Sequence, residues 1–503
     1  MHRSACILLG LLLLAACREK ESVQPAHPSI RVELQSVNAF QASFTIDCIH
    51  TVNVSCGVSV PDDCDLVYFL ETGSTGPVQL SLTVNDLEPL TDYVLKAAGI
   101  GPDGEVGPVQ TLNFSTLKGP DGLYDWERAR SRAPSFADLS LVTMGWHNAN
   151  PPVWTAERFA SHVSYDGKWL FDAFLCIDGF NGRLGQSYCI ANGRTSAGRE
   201  AWEDLLDAWL GDEGALKQLD AAIAAAGTPP GPRYVVMSLP DPVMFQYFSD
   251  KTSSTTYWGS LNGRELDFSH LEDQEAAYRW YMDSCRERFH LLGLQHVELA
   301  GFYILSEELH LSQAFYEDAG LPYDSGDTWN SKYKRWEDLI PWAASYAHAC
   351  NEGLWWVPYF LAPGHRVWRL LGFDGVFMQP NYYWDHDAVS HPLVDTKQAL
   401  KQYRMGIELE FEYSLVASVM ADGRSAPDGS GTPTFYAKDV PLLRSRVREY
   451  MDAYRATGLY GELPIAVYSG TDAWHQLATS PDPDDQAMFR EICTFILDSP
   501  LKK

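Results

Sequence analysis

The spacing of apolar and polar residues divides the chain into two regions with different periods. From Ile30 to Leu117, short stretches of alternating apolar and polar residues are separated by turn-forming residues, a pattern typical of a β-sandwich. From about Leu139 onward, continuous apolar stretches alternate with long helical ones, which is typical of parallel strand–helix units. We therefore predict a multidomain chain with an all-β sandwich over residues 28–118, a linker over 119–138 and an α/β domain over 139–503.

The α/β region contains eight apolar stretches of strand length. Eight parallel strands with intervening helices fit one (β/α)8 TIM barrel with long loops. A doubly wound open sheet is the alternative, although it does not require eight near-uniform repeats. The predicted strands are Leu141–Trp146, Trp169–Ile177, Arg233–Leu239, Val297–Leu305, Trp355–Phe360, Gly375–Gln379, Gly406–Phe411 and Pro464–Ser469.

Within the β-rich region, Leu87–Val94 resembles the fibronectin type III pattern, in which a tyrosine at the position of Tyr93 forms the tyrosine corner. Gly101–Gly104 predicts a hairpin turn, and Leu112–Thr116 predicts the final strand. The resemblance implies a module that spaces or presents the α/β domain.

The first residues predict a targeting segment. The apolar run Ile7–Ala16 follows a basic start and is too short to span a bilayer, so residues 1–16 are predicted to be a signal peptide. Cys17 directly after Leu-Ala-Ala resembles the bacterial lipoprotein box, which implies lipidation of Cys17, a tether over residues 17–27 and a membrane-anchored protein of the cell envelope. An ordinary secretory signal is the alternative. The sequence does not determine which membrane leaflet holds the anchor.

Composition narrows the class of partner. The formal net charge of −28 argues against nucleic acid and for neutral or cationic ligands. The 16 Trp and 25 Tyr exceed what an average core requires and are typical of sugar-binding clefts. Cys48, Cys56 and Cys64 predict one local disulfide, whereas the remaining cysteines predict buried thiols without metal-ligand spacing. We expect no cofactor and no metal.

The seventh predicted strand carries the strongest chemical signal. Because side chains alternate faces, Glu408, Glu410 and Glu412 share the face opposite Ile407 and Leu409. The apolar face must meet the surrounding helices, so the carboxylates point into the barrel mouth. Their convergence is costly unless a ligand, metal or cation compensates. Glu412 is the weakest candidate of the three, because it falls past the strand in a loop, where alternation no longer fixes the direction of its side chain.

The fourth predicted strand ends in Ser306-Glu307-Glu308. Glutamates at the ends of strands four and seven resemble the retaining barrel glycosidases, which implies Glu307 as acid/base and Glu410 as nucleophile, with Glu408 as the alternative nucleophile. Ser306 departs from that superfamily, which has Asn there. Two further interpretations stay open: Ser306 caps a helix that begins with these acids, or Glu308 is the acid.

Other polar and aromatic residues at predicted strand ends furnish a mouth suited to a sugar. The substrate-binding candidates are Trp146, His147, Asp172, Tyr359, Gln379, Asn381, Tyr382, Tyr383, Trp384 and Tyr468.

Four segments resemble a family of secreted bacterial barrels known as domain of unknown function 4855: Gly301–Glu307, Gln379–Trp384, Gly406–Phe411 and Ile465–Gly470. The resemblance implies a glycosidase-like barrel but no established substrate. The leading hypothesis is a retaining glycoside hydrolase acting on a glycan in the cell envelope. The alternatives are a glycan-binding lipoprotein without catalysis, and a metal-dependent hydrolase that uses Glu408, Glu410 and Asp374 as ligands. The oligomeric state stays unknown.

Overall fold

The structure, a computed structural model, describes residues 27–37, 42–59, 66–84, 87, 91–117, 134–146, 151–189, 194–323, 336–384, 393–421 and 439–502. The chain divides into two compact units, Met1–Lys118 and Gly119–Lys503. The predicted signal peptide, Cys17, Cys64, His147 and nearly all of the tether lie outside the described residues. Within the described ranges, no helix is both long enough and apolar enough to cross a membrane.

The first unit is an antiparallel β-sandwich. One sheet has the strand order β1-β2-β5 and the other β4-β3-β6-β7. Alternate residues of both sheets, such as Phe44, Val54 and Leu95, fill the core between them because side chains alternate faces along each strand. The strands are β1 Ser29–Val37, β2 Ala42–Ile49, β3 Asn53–Ser59, β4 Leu66–Glu71, β5 Val78–Val84, β6 Asp92–Ile100 and β7 Gln110–Ser115.

Two details of the sandwich bear on the sequence predictions. The Gly101–Gly104 turn is confirmed, since the Gly104 N–H donates to the Gly101 carbonyl over 3.0 Å. Tyr93 lies in the core, stacked on Phe114 with ring centroids 5.6 Å apart. Cys48 and Cys56 are buried free thiols, so the predicted disulfide does not join them. They lie on strands of different sheets, where each fills core space as a small apolar side chain.

The second unit contains a closed barrel of eight parallel strands, which confirms the predicted number. The first strand begins at Asp138, three residues before its predicted start at Leu141. The second begins at Ala173, four residues after its predicted start at Trp169. Trp146 therefore lies in a loop. The barrel strands are β8 Asp138–Thr143, β9 Ala173–Ile177, β10 Arg233–Leu239, β11 Val297–Ile304, β12 Gly353–Trp356, β13 Gly375–Met378, β14 Gly406–Glu410 and β15 Ile465–Tyr468.

Helices lie between the barrel strands along the chain and bury one apolar stripe each. The helix after β9 buries Trp202, Leu205 and Trp209, and the long helix after β10 buries Tyr278 and Tyr281. The helices are α1 Ala156–Val163, α2 Arg199–Leu210, α3 Ala215–Ala226, α4 Leu271–Leu292, α5 Gln313–Asp318, α6 Trp336–His348, α7 Leu393–Tyr403, α8 Ala417–Ala421, α9 Val440–Thr457, α10 Ala473–Thr479 and α11 Pro483–Leu497.

Glycines inside the barrel make room for two large rings. Trp355 is paired in register with Gly375, and a Cβ at Gly353 would lie 2.6 Å from the Trp355 ring. A Cβ at Gly406 would lie 2.9 Å from the ring of Phe377. The lower barrel is thus a packed core, and space for a ligand exists only nearer the carboxyl ends of the strands.

The amino-terminal end of the barrel is closed by a buried ion cluster. Asp138 begins β8 with no exposed surface, and the Lys502 ammonium lies 2.7 Å from its carboxylate and 3.0 Å from that of Asp172. Asp172 also accepts a hydrogen bond of 2.7 Å from Arg233, the first residue of β10. The C-terminal segment is thereby joined to the starts of three strands.

Candidate active site

Strand β14 directs two glutamates into the barrel. Glu408 is paired with Ala466 and Glu410 with Tyr468 on β15, so the two carboxyls occupy successive positions on one face of the strand. Ile407 and Leu409 are buried on the opposite face. Glu410 is fully buried and Glu408 is 2% exposed, which places both carboxyls at the inner side of the mouth. Glu412 lies past the strand and is buried as well.

Glu410 is held by donors from two neighbouring elements. Its Oε2 accepts a hydrogen bond of 2.7 Å from the backbone N–H of Asn381 and a short hydrogen bond from the Tyr450 hydroxyl. The amide of Gln379 also lowers the pKa of Glu410. Its Oε1 is buried and has no hydrogen-bond partner in the described part of the chain. One oxygen is therefore anchored, and the other is left for a further contact.

The Tyr450 hydroxyl also fixes the loop that follows β13. It accepts the backbone N–H of Tyr382 over 2.8 Å and that of Tyr383 over 3.1 Å, while donating to Glu410. Asn381 has a φ of 55°, a left-handed conformation that asparagine tolerates better than most residues. The resulting turn aims the Asn381 N–H at Glu410.

Glu307 approaches from the other side of the barrel. It follows β11 in an extended segment whose Glu307 carbonyl accepts the Tyr359 N–H over 3.3 Å. Its side chain is exposed to solvent, unlike those of Glu408 and Glu410. Ser306 caps no helix: its hydroxyl donates to the Glu308 carbonyl over 3.3 Å, and the next helix begins at Gln313. Helix capping therefore does not explain Glu307.

Glu308 points elsewhere. Its side chain is 47% exposed and pairs with the buried His310 at 3.0 Å. The adjacent acids on this segment thus have different surroundings, and Glu307 is the one whose charge raises the pKa of Glu408 and Glu410.

The three glutamates are electrostatically coupled. Burial, then the charges of Glu410 and Glu307, raise the pKa of Glu408 well above its usual range. The net pKa of Glu410 is raised to about 8. Burial is the largest cause and the charge of Glu307 adds to it, whereas hydrogen bonds from Tyr450, Asn381 and Gln379 act in the opposite direction. Burial and the charge of Glu308 raise the pKa of Glu307 to about 7. The charge of Glu307, which follows β11, therefore raises the pKa of both glutamates of β14.

This coupling predicts a pH-dependent stability. In the folded state Glu408 binds its proton more tightly than in the unfolded chain, so its contribution to stability is lost as pH rises above 4.5. Glu408→Gln mimics the protonated form and should raise the unfolding temperature at pH 9, by at least about 2 °C, while changing it little at pH 4. Thermal unfolding followed by fluorescence measures this. Equal shifts at both pH values, or the same alkaline gain in Glu298→Gln, an exposed control, would reject the coupling.

Several other predicted residues join these glutamates. Tyr359 and Gln379 form a parallel bridge beside the Glu307 segment, and both are half-buried. The Gln379 amide donates to Asn381 Oδ1 over 3.2 Å. Tyr468 is half-buried in register with Glu410. These residues bring amide and phenol groups to the same end of the barrel as the three carboxyls.

The structure places other candidates elsewhere. Asp172 and Asp374 precede their strands and lie at the amino-terminal end of the barrel, opposite the glutamates. Asp374 pairs there with His348 at 2.7 Å, which removes it from the metal-ligand set considered above. Tyr383 is fully buried and hydrogen-bonded to Ser414 at 2.9 Å, so it packs the loop.

Three aromatic candidates remain near the mouth or its rim. The Tyr382 hydroxyl donates to Glu449 of α9 in a short hydrogen bond. Trp384 is half-buried and contacts Tyr383 edge to face, with ring centroids 5.5 Å apart. Trp146 is half-buried in the loop after β8. His147 lies outside the described residues.

Sequence reasoning missed Tyr450 and Tyr303 at this end of the barrel. Tyr450 lies on α9 at a core-like helical spacing, which hides its polar role. Tyr303 on β11 lies among Glu307, Glu408 and Asp241, whose charges raise its pKa further after burial has done so. Asp178 directly follows β9 and was visible in the sequence, because an acid directly after an apolar strand marks the carboxyl end of the barrel. Its burial raises its pKa to about 7.

Acidic, histidine and cysteine side chains are the usual protein ligands of metal ions. Among the residues that the structure describes, no group of three or more is arranged to hold a metal ion. What the described carboxyls do offer is proton transfer and nucleophilic oxygen chemistry.

Comparison with known families identifies the barrel unit. The sequence profile of the family described as Domain of unknown function (DUF4855) matches residues 138–425, more than half of the chain. The chain belongs to this family. The match begins at the first residue of β8 and includes Glu307, Glu408 and Glu410. No curated protein matches the chain.

Solved structures resemble a small share of the chain. The fibronectin type III domain of human contactin 1 is 12% identical, covering 20% of this chain and 85% of its own, with a TM-score of 0.16. The fibronectin type III domain from human KIAA0970 is 17% identical, covering 18% and 74%, with a TM-score of 0.15. The sensor domain of the anti-sigma factor RsgI4 from Pseudobacteroides cellulosolvens is 18% identical, covering 19% and 99%, with a TM-score of 0.16.

Proposed function

We propose that the barrel of this family member is a glycosidase-type (β/α)8 domain that hydrolyses glycosidic bonds with retention of configuration. The observation that carries the proposal is the placement of Glu408 and Glu410 on one buried face of β14, where the charge of Glu307, which follows β11, raises the pKa of both. Retaining hydrolysis needs one carboxyl that donates a proton and another that attacks the anomeric carbon.

Environment assigns the roles. Glu410, with its anchored Oε2 and unpartnered Oε1, is the nucleophile. Glu307, which keeps solvent-accessible surface beyond β11, is the acid that protonates the leaving oxygen. The bond from the anomeric carbon to that oxygen breaks as the bond to Glu410 forms. Glu307 then takes a proton from water, which replaces Glu410 at the same carbon.

Glu408 has a supporting role in this proposal. Burial and the charges of Glu410 and Glu307 raise the pKa of Glu408 well above its usual range, which favours its protonated form. A neutral Glu408 spares the nucleophile a second buried negative charge.

A second candidate is glycan binding without cleavage, and the burial of Glu410 favours it. Glu410 has no exposed surface, so a sugar reaches it only when side chains of the mouth move aside. Glu307, Tyr359 and Tyr468 keep exposed surface and suffice to contact a ligand. Cleavage distinguishes the two candidates.

We further propose that the domain acts in the cell envelope, held by a lipid on Cys17. The apolar segment Ile7–Ala16 and the small residues before Cys17 support this location. Radiolabelled palmitate incorporated into the wild-type chain, but not into Cys17→Ser, is the expected result. Equal labelling of both would contradict it.

The test of hydrolysis uses soluble protein and a panel of neutral polysaccharides and aryl glycosides. Wild-type protein should release reducing ends, and Glu410→Gln should lower the rate by about 10³-fold or more, because a neutral amide cannot form the covalent intermediate. Glu412→Gln is the matched control, since Glu412 lies past the strand. Unchanged rates in Glu410→Gln would refute the assignment. Saturable binding without cleavage by the wild type would favour the second candidate.

A further inference from the structure

A second concave site is formed by the loops after β8 and β9 together with helix α2. The cavity has a volume of about 600 Å³ and apolar lining from Trp146, Pro151 and Ala208. Small-molecule sites fall in the range of about 300–1,000 Å³. None of these residues is part of the glutamate cluster, so the cavity is separate from the site described above.

The segment that carries Trp146 is held in place by hydrogen bonds to the buried carboxylate of Asp178. Asp178, buried at the end of β9, accepts hydrogen bonds from Thr143 and from the backbone N–H of Phe180. The backbone N–H groups of Gly145 and Trp146 also bond to it and lower its pKa. Residues 143–146 after β8 are therefore held by Asp178 without any ligand.

The neighbouring loop packs directly on Trp146. A Cβ at Gly182 would lie 2.6 Å from the Trp146 carbonyl oxygen and 3.4 Å from its Cβ. Only glycine permits this approach, which brings Arg183 to the rim of the cavity. Any larger residue at position 182 must displace the Trp146 loop.

The charges of the cavity exclude an anionic ligand. Arg183 already donates to both oxygens of Asp204, each over 2.8 Å, and to Glu200 over 2.8 Å. Its guanidinium is therefore occupied. The carboxylate of Asp207 also lines the cavity, is 64% exposed and pairs with Arg288. Asp204 already accepts hydrogen bonds from Arg183 and Asn181, so the polar group that remains available is the Asp207 carboxylate, which can accept a hydrogen bond from a hydroxyl group.

We propose that this cavity is a sugar-binding subsite in which a neutral pyranose ring packs against Trp146 and gives a hydroxyl hydrogen bond to Asp207. An aromatic ring beside a hydrogen-bonding carboxylate suits a ligand with apolar faces and polar edges. The inference deepens the proposed function and rests on it for the nature of the ligand. The location beyond β8 and β9 suits a sugar unit remote from the one that is cleaved.

Isothermal titration calorimetry with cellohexaose, xylohexaose, mannohexaose and chitohexaose tests the subsite, with hexagalacturonate as the anionic comparison. The wild type should bind at least one neutral hexasaccharide and not hexagalacturonate. Trp146→Ala should weaken that binding by about tenfold or more (about 1.4 kcal/mol). Trp146→Phe should retain most of it, and Gly182→Ala should weaken it while Trp146 is still present. Trp342→Ala, a half-buried tryptophan of α6, is the matched control for general effects.

The outcomes separate this inference from the proposed function. Binding that depends on Trp146 without any hydrolysis would overturn the hydrolase and leave the subsite standing. Hydrolysis of aryl glycosides with hexasaccharide binding equal in Trp146→Ala and wild type would overturn the subsite alone. Absence of binding to every neutral hexasaccharide, or preference for hexagalacturonate, would also overturn it.

Discussion

Glu307→Gln is expected to slow hydrolysis of an unactivated glycan by about 10²–10⁴-fold, because the leaving oxygen then departs without a proton. The effect should depend on the leaving group. Aryl glycosides with a nitrophenolate leaving group need no protonation in the first step, so their bond cleavage should change by less than about tenfold. Steady-state rates on both substrate types measure this difference.

Added azide provides the control for the Glu307→Gln variant. Azide needs no general base, so it should replace water in the second step and restore turnover of nitrophenyl glycosides, with glycosyl azide of retained configuration as product. The same addition to Glu410→Gln should give no retained product. Equal loss on natural and activated substrates, with no azide effect, would show that Glu307 is not the acid/base.

Lys502→Met is expected to destabilise the barrel by about 3–5 kcal/mol at pH 9, because it removes one partner of a buried ion cluster. The Met side chain keeps the apolar stem, so the loss reports the charge. Asp138 has no exposed surface, and its burial raises its pKa to about 7, against the lowering effect of Lys502. Without Lys502, ionised Asp138 and Asp172 face each other with less compensation.

The destabilisation caused by Lys502→Met should be larger at high pH than at low pH. A raised pKa in the folded state means that the stability contributed by Asp138 is lost as pH rises through about 7. At pH 5 Asp138 is protonated, so Lys502→Met should cost clearly less than at pH 9. Lys217→Met, which breaks an exposed pair with Asp212, is the control and should cost less than about 1 kcal/mol.

Tryptophan fluorescence reports the unfolding of the barrel unit in these experiments. All 16 Trp of the chain follow residue 118, so the signal comes from the second unit alone. Urea unfolding of the full chain at pH 5 and pH 9 therefore measures barrel stability without a contribution from the sandwich. A cost that is equal at both pH values would contradict the role assigned to Asp138.

The barrel strands were predictable because parallel strands covered by helices read as continuous apolar runs. The errors have a local cause. Leu170 and Phe171 are buried, and the apolar run from Trp169 therefore extends the predicted second strand by four residues. That error placed Asp172 inside the strand, whereas it lies at the opposite end of the barrel from Glu410.

The strand β14 glutamates were predictable for a similar reason. Alternation of Ile407 and Leu409 with Glu408 and Glu410 fixes which face each side chain takes, whatever the surrounding loops do. Tyr450 was not predictable, because its position on α9 is one of a buried helical series with Leu443, Val447 and Tyr454. Its hydroxyl finds Glu410 only through tertiary packing. The free thiols of Cys48 and Cys56 likewise depend on strand placement that spacing does not encode.

The central claim is that carboxyls from β11 and β14 share one pocket, and carboxyl titration by carbon NMR tests it most directly. Protein labelled at glutamate side-chain carboxyls, with the Glu410 resonance assigned from Glu410→Gln, gives the midpoint of that residue. The account predicts a midpoint near 8 in the wild type, displaced to lower pH in Glu307→Gln because a negative charge has been removed. A Glu410 midpoint near the ordinary 4.5, or one that Glu307→Gln leaves unmoved, would contradict it.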